Sequence, residues 1–125
     1  MNQFKKTERL CSIVDIDKLF SEGKAVNRFP FKIIYKNPSH NLGNAVQVLI
    51  SVPKRKFKKA VHRNLLKRRI REAYRLYKFN LQEVPGKRNL HIAIVYIDSE
   101  IRSFNDIRED LKLILQKLNL RLRQA

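Results

Sequence analysis

The sequence predicts a small α+β domain, a mixed or antiparallel sheet with three helices. Three observations lead there. Hydrophobic periodicity alternates along the chain in the order helix, strand, strand, helix, strand, helix. One strand is apolar on both of its alternating sets, which places it inside a covered sheet. The chain has 125 residues, 43% of them hydrophobic, which is the material of one ordinary domain spanning residues 1–125.

The first ten or so residues are polar and basic, without the apolar run of a signal peptide, and are expected to be mobile. A helix is predicted over 15–22, with Ile16, Leu19 and Phe20 on one face and Gly23 as its stop. Asp15 and Asp17 at its start complement the helix dipole. Phe31 to Tyr35 reads as a strand by its β-branched and aromatic content, and Asn37 to Asn41 as a turn. Ala45 to Val52 alternates Val46, Val48, Ile50 and Val52 on one face, and Pro53 ends it. From Ala60 to about Lys78 the period becomes helical. A turn at Val84 to Lys87 leads into the doubly apolar strand Leu90 to Ile97. Ser103 then caps a final helix, with Asp106 three residues on and a stripe of Phe104, Ile107, Leu111, Ile114, Leu115 and Leu118.

Charge narrows the function. Lys and Arg number 28 against 11 Asp and Glu, a net +17. Twelve of the 28 fall between Lys54 and Lys78, where the single acid is Glu72. A compact domain that tolerates such self-repulsion points to a polyanionic partner. At about 100° per residue, Leu66, Ile70, Ala73, Tyr74 and Tyr77 form the buried side of the helix. Asn64, Lys67, Arg68, Arg71, Arg75 and Lys78 form the adjoining side, with Arg63 on the border. Arginine outnumbers lysine on this helix, which suits phosphate forks and base stacking better than a diffuse membrane field. Structured rRNA, the nucleoid and an anionic membrane surface are other polyanions that the charge alone fits.

Catalytic chemistry is not prominent. His40, His62 and His91 are scattered, and His91, inside a strand, reads as a structural histidine. The lone Cys11 rules out an internal disulfide, fits a reducing, cytoplasmic setting, and is expected to be a small buried hydrophobe.

The stretches Ser51 to Lys56 and Ala60 to Tyr74 resemble the signature of the bacterial ribonuclease P protein subunit, roughly Ala-Val-x-Arg-Asn-Arg-x-Lys-Arg-x-x-Arg-Glu. Arg63, Asn64, Lys67, Arg68 and Arg71 match it. Leu65 stands where the pattern has its second arginine, and the turn from Lys54 to Lys59 is about one residue longer than usual. The resemblance implies a fold like ribosomal protein S5 domain 2, with a left-handed strand–helix–strand crossover. It implies an endoribonuclease whose catalysis lies in an RNA with bound Mg²⁺, the protein alone being inactive. Its partners would be that catalytic RNA and precursor tRNA, with no membrane and no obligate protein partner. Under this resemblance Lys54, Arg55, Lys56, Arg63, Asn64, Lys67, Arg68, Arg71 and Arg75 would bind RNA. Phe20, Phe31 and Tyr35, on the first helix and first strand, would line a cleft for the 5′ leader, the alternative being that these rings are core. No catalytic or metal-binding residue is implied in the protein.

Overall fold

A computed structural model of the chain describes residues 9–38, 46–77 and 90–123. Its elements are α1 (Ile13–Glu22), β1 (Lys24–Arg28), β2 (Phe31–Lys36), β3 (Val46–Ser51), α2 (Ala60–Tyr77), β4 (Leu90–Tyr96) and α3 (Phe104–Arg123). The expected turn at 84–87, His40 and Lys78 lie outside the described residues.

Helix α1 begins two residues before the predicted start because Ser12 caps it, its hydroxyl accepting from the Asp15 N–H at 3.4 Å. Gly23 closes it, donating its N–H to the Leu19 carbonyl at 2.9 Å. The glycine is needed for space, its φ being an ordinary −73°. A Cβ there would collide with the Leu19 carbonyl oxygen and stand 2.8 Å from Ile34 Cγ2. Strand β1 was not predicted; only Val26 of its five residues is buried, so the sequence carries little alternation there. It folds back on β2 through Phe29–Pro30, whose peptide bond is cis.

The sheet has the order β1-β2-β4-β3. β1 pairs antiparallel with β2 and β2 with β4, while β3 runs parallel to β4. Helix α2 is the crossover between that parallel pair. β4 is central and almost wholly buried, as its doubly apolar pattern predicts. One face carries the main core: Val26, Ile33, Ile94 and Ile50 align across the four strands beneath α2 and α3. Leu66, Ile70, Ala73 and Tyr74 supply the α2 side, and Ile107, Leu111, Ile114, Leu115, Leu118 and Leu122 the α3 side. On the other face Ala25, Ile34, Ala93 and Leu49 align, and a smaller cluster forms with Leu19, Ile16 and Leu10.

One N-terminal expectation needs correction, and the mobility expected before Arg9 falls on residues outside those described. Leu10 is buried, and its N–H donates to the Val48 carbonyl at 2.9 Å, so the chain is already anchored there. Cys11 is exposed rather than core. Extended backbone alternates its side chains, so turning Leu10 inward turns Cys11 out. At the opposite edge of the sheet, Lys117 Nζ donates to the Asn27 carbonyl of β1 at 2.8 Å. Among the described residues no helix is long and apolar enough to cross a membrane.

The β4–α3 connection is held by Arg102. Its Nε donates to Asp98 Oδ2 at 2.6 Å and its guanidinium lies 5.2 Å from the Phe29 ring centre. Nearby, the Tyr96 hydroxyl donates to the Glu100 carbonyl. Burial, and to a lesser degree the Asp98 charge, push the Tyr96 phenol up to about 12 despite Arg102. Burial also pushes the Asp98 carboxyl up. The hydrogen bond from Arg102, those from the Glu100 and Ser99 N–H groups, and the Arg102 charge outweigh it, so the carboxyl titrates below its ordinary value. A depressed carboxylate stabilises the fold above the unfolded value and loses that contribution as pH falls through the folded one. Asp98→Asn is therefore expected to lower the melting temperature by several degrees at neutral pH. The gap to the parent protein should close as pH falls below the ordinary carboxylate range, as thermal melts on acidification will show.

Candidate nucleic-acid interface

The basic surface is built on α2, an 18-residue helix with no glycine or proline inside it. Its approach is a tight turn in which the Lys56 and Phe57 N–H groups both donate to the Pro53 carbonyl. Phe57 plugs this turn into the core, its ring 6.0 Å from that of Tyr96. Two predicted RNA-binding residues are engaged here by the fold itself. Lys56 Nζ donates to the Ile97 carbonyl, and Arg63 Nη1 donates to the carbonyls of Phe57 (2.6 Å) and Lys58 (3.0 Å). Arg63 thus ties the loop to the first turn of α2. Lys54, Arg55, Lys58 and Lys59 remain exposed around it.

Along the helix the cations divide by whether the fold gives them a partner. Arg75 forks onto Glu72, Nη2 to Oε1 at 2.6 Å and Nε to Oε2 at 3.0 Å. The Arg75 hydrogen bonds hold the Glu72 carboxyl below its usual range, against a small opposing effect of burial. Arg69, outside the predicted set, donates to the Arg102 carbonyl and fastens α2 to the start of α3. Lys67, Arg68 and Arg71 are different: among the described residues no carboxylate lies within ion-pair distance of them. Asn64 is exposed beside them. Guanidinium and ammonium groups on one helix face, without a carboxylate partner among the described residues, are suited to phosphate oxygens.

Arg71 and Lys67 also line a cleft of about 230 Å³ with Arg9, Leu10, Cys11 and the β3 residues Val48, Leu49 and Ile50. The N-terminal segment therefore joins the basic surface. Nothing local in the sequence announced this, because the contact depends on the bridge between Arg9 and Val48.

The three aromatic residues predicted for a leader cleft do not come together. Phe31 is wholly buried, edge-on to Tyr96 at 5.8 Å, and offers no face for stacking. Tyr35 belongs to the same core face, opposite α1. Only its margin reaches the surface, in a cleft with Glu22, Lys24, Lys36, Asn37, Arg121 and Leu122. Both lie on the wrong side of the sheet because β2 alternates, and the α1 side holds Lys32, Ile34 and Lys36 instead. Phe20 is 46% exposed on α1 and shares a helix face with Ile13 and the half-buried Ile16. On the α1 side of the sheet, Asn27, Lys32, Val95 and Ser51 align across the strands and are only partly covered. Sequence reasoning missed this row, although Lys32 between buried Phe31 and Ile33 was its visible signal. His91, by contrast, is the structural histidine expected, buried with Nε2 3.1 Å from Gln47 Oε1.

Comparison with known proteins agrees with this architecture. The family model for Ribonuclease P matches residues 4–119. The ribonuclease P protein component of Porphyromonas gingivalis is 34% identical, over 90% of this chain and 84% of its own. That of Chlorobium phaeobacteroides is 32% identical, over 96% of this chain and 90% of its own. Among solved structures, the RNase P protein of Thermotoga maritima superposes with a TM-score of 0.70 at 27% identity, covering 88% of this chain and 96% of that one. The Staphylococcus aureus RNase P protein gives 0.72 at 21% identity, covering 89% and 94%, and supports the fold. With its mixed four-stranded sheet and three helices matching those structures, and the family model and relatives covering most of its length, the chain belongs to the Ribonuclease P protein family.

Proposed function

We propose that this chain is the protein subunit of ribonuclease P, binding the catalytic RNA through α2 and assisting removal of the 5′ leader from precursor tRNA. The observation that carries this reading is the unpaired Lys67, Arg68 and Arg71 face on the crossover helix of a chain in this family. Lys54, Arg55, Lys58 and Lys59 extend that face into the preceding turn, and Asn64 adds an uncharged donor and acceptor for a phosphate or 2′-hydroxyl. The leader lies along the α1 side of the sheet, where exposed Phe20 offers a stacking surface and Lys32 a cation. Stacking on an aromatic ring is indifferent to base identity, as a variable leader requires.

Hydrolysis belongs to the RNA, which holds most of the Mg²⁺. Two features support that division. Among the described residues, the titratable side chains displaced from their usual range, Glu72, Arg75, Tyr96, Asp98 and Arg102, are each committed to contacts within the fold. His91 is enclosed by the sheet. A ribosomal or assembly protein that binds rRNA through the same helix is not favoured, because the family match and the relatives above point to ribonuclease P.

Reconstitution tests the proposal. RNA-free protein should leave precursor tRNA intact at any Mg²⁺ concentration. Combined with a bacterial ribonuclease P RNA, it should lower the Mg²⁺ needed for cleavage at the mature 5′ end. Cleavage by the protein alone, or no effect on the RNA-catalysed reaction, would overturn the assignment.

A further inference from the structure

A groove between α2 and the start of α3 borders the basic face through Arg68 and Arg71, and the reading above leaves its apolar part without a role. It is lined by Leu65, Arg68, Arg69, Arg71, Glu72 and Phe104 and has a volume of about 490 Å³, within the usual range of ligand clefts. Its floor is apolar. Leu65 and Phe104 are both half-buried, and Phe104 packs against the main core. Its rim carries three guanidinium groups. Arg69 is held in place by the Arg102 carbonyl, and the one carboxylate, Glu72, is already engaged by Arg75 at both oxygens. The groove is therefore net positive, with an apolar base.

A phosphate alone requires the rim but not the floor, since phosphate oxygens are better solvated than placed against leucine and phenylalanine. A planar aromatic ring carrying a phosphate satisfies both. We propose that this groove seats an unpaired nucleobase of the RNA bound by α2, with the ring on Leu65 and Phe104 and the adjoining phosphate on Arg68. Guanidinium planes stack on bases, so Arg69, fixed by its carbonyl, closes the site from one side. Leu65, which replaces an arginine of the resembled pattern, thereby exchanges a cation for part of an apolar platform. The inference rests on the reading of α2 as an RNA-binding helix.

The test compares adenosine monophosphate with ribose 5-phosphate, titrated into the isotope-labelled full chain and followed by amide NMR. The expected result is that the nucleotide shifts Leu65, Arg68, Arg69 and Phe104 and binds at least about fivefold more tightly than the sugar phosphate. Phe104→Leu keeps an apolar side chain but removes the π face, and should reduce nucleotide affinity roughly fivefold without changing that of ribose 5-phosphate. Leu65→Arg should strengthen ribose 5-phosphate binding and weaken that of the nucleotide. Equal affinities for the two probes in the parent protein, or nucleotide shifts confined to other residues, would overturn the proposal even if the Phe104 variant fails to fold. A parallel titration with a ribonuclease P RNA transcript separates the two readings. Tight RNA binding with no nucleotide preference removes only the base site, whereas failure to bind the RNA removes the α2 reading itself.

Discussion

Replacing Lys67, Arg68 and Arg71 together by glutamate is expected to weaken binding to a ribonuclease P RNA by at least about a hundredfold near physiological salt. If about five phosphates meet this surface, log K should fall with log salt at a slope of roughly −3.5 to −4.5. Removing three of the contacts should bring the slope to about −1.4 to −1.8, and the added carboxylates repel what remains. The fold should not suffer. None of the three side chains has a carboxylate partner among the described residues, and a chain of net +17 repels itself less once cations are removed. The melting temperature should therefore hold or rise while affinity collapses. Arg63→Ala gives the opposite outcome, because that guanidinium holds the Phe57 and Lys58 carbonyls. Its main loss should be in stability. Salt titrations and thermal melts of both variants distinguish the roles, and an unchanged slope in the triple variant would place the RNA elsewhere.

Gly23→Ala is expected to destabilise the protein by about 1–3 kcal/mol, the usual penalty for forcing a methyl group into a filled space. The obstruction includes backbone: the Leu19 carbonyl on one side and the Tyr35 carbonyl, 3.0 Å from the added carbon, on the other. Neither yields by rotating a side chain. Relief requires α1 to lift from β2, which carries Phe20 away from the sheet. Precursor tRNA affinity should then fall more than affinity for the ribonuclease P RNA, whose contacts are proposed to be on α2. Denaturant midpoints and the two binding titrations measure both parts. A variant with parental stability would show that α1 accommodates the methyl by other means.

Much of this arrangement was legible in the sequence wherever a periodic stripe decides burial. The inward faces of α2 and α3 were read correctly down to Ala73 and Leu118, because helical spacing leaves apolar side chains no alternative. β4 was recognised as central because apolar residues on both faces exclude an edge position. β1 was not recognised: its order comes from pairing with β2 and from α3, and only Val26 records that in the sequence. Strand content alone does not say which helix covers the face that Phe31, Ile33 and Tyr35 share, so two of the three suggested leader contacts lie in the core. The cations show the same limit. Lys56 and Arg63 look like Lys67 and Arg68 in a string of letters. Only the folded chain brings a carbonyl to the first pair and solvent to the second.

The two outer strands bear on how the protein survives meeting its partner. Free in solution, copies carrying +17 keep one another apart by charge. Neutralisation by a polyanion removes that protection when many copies are drawn onto one surface, the condition under which exposed strand edges add to each other and grow into fibrils. The Leu10 N–H on the Val48 carbonyl and the Lys117 ammonium on the Asn27 carbonyl each engage one carbonyl of an outer strand by a short-range contact that does not depend on net charge. At those two points an incoming strand finds its acceptor already taken when electrostatic repulsion has been cancelled.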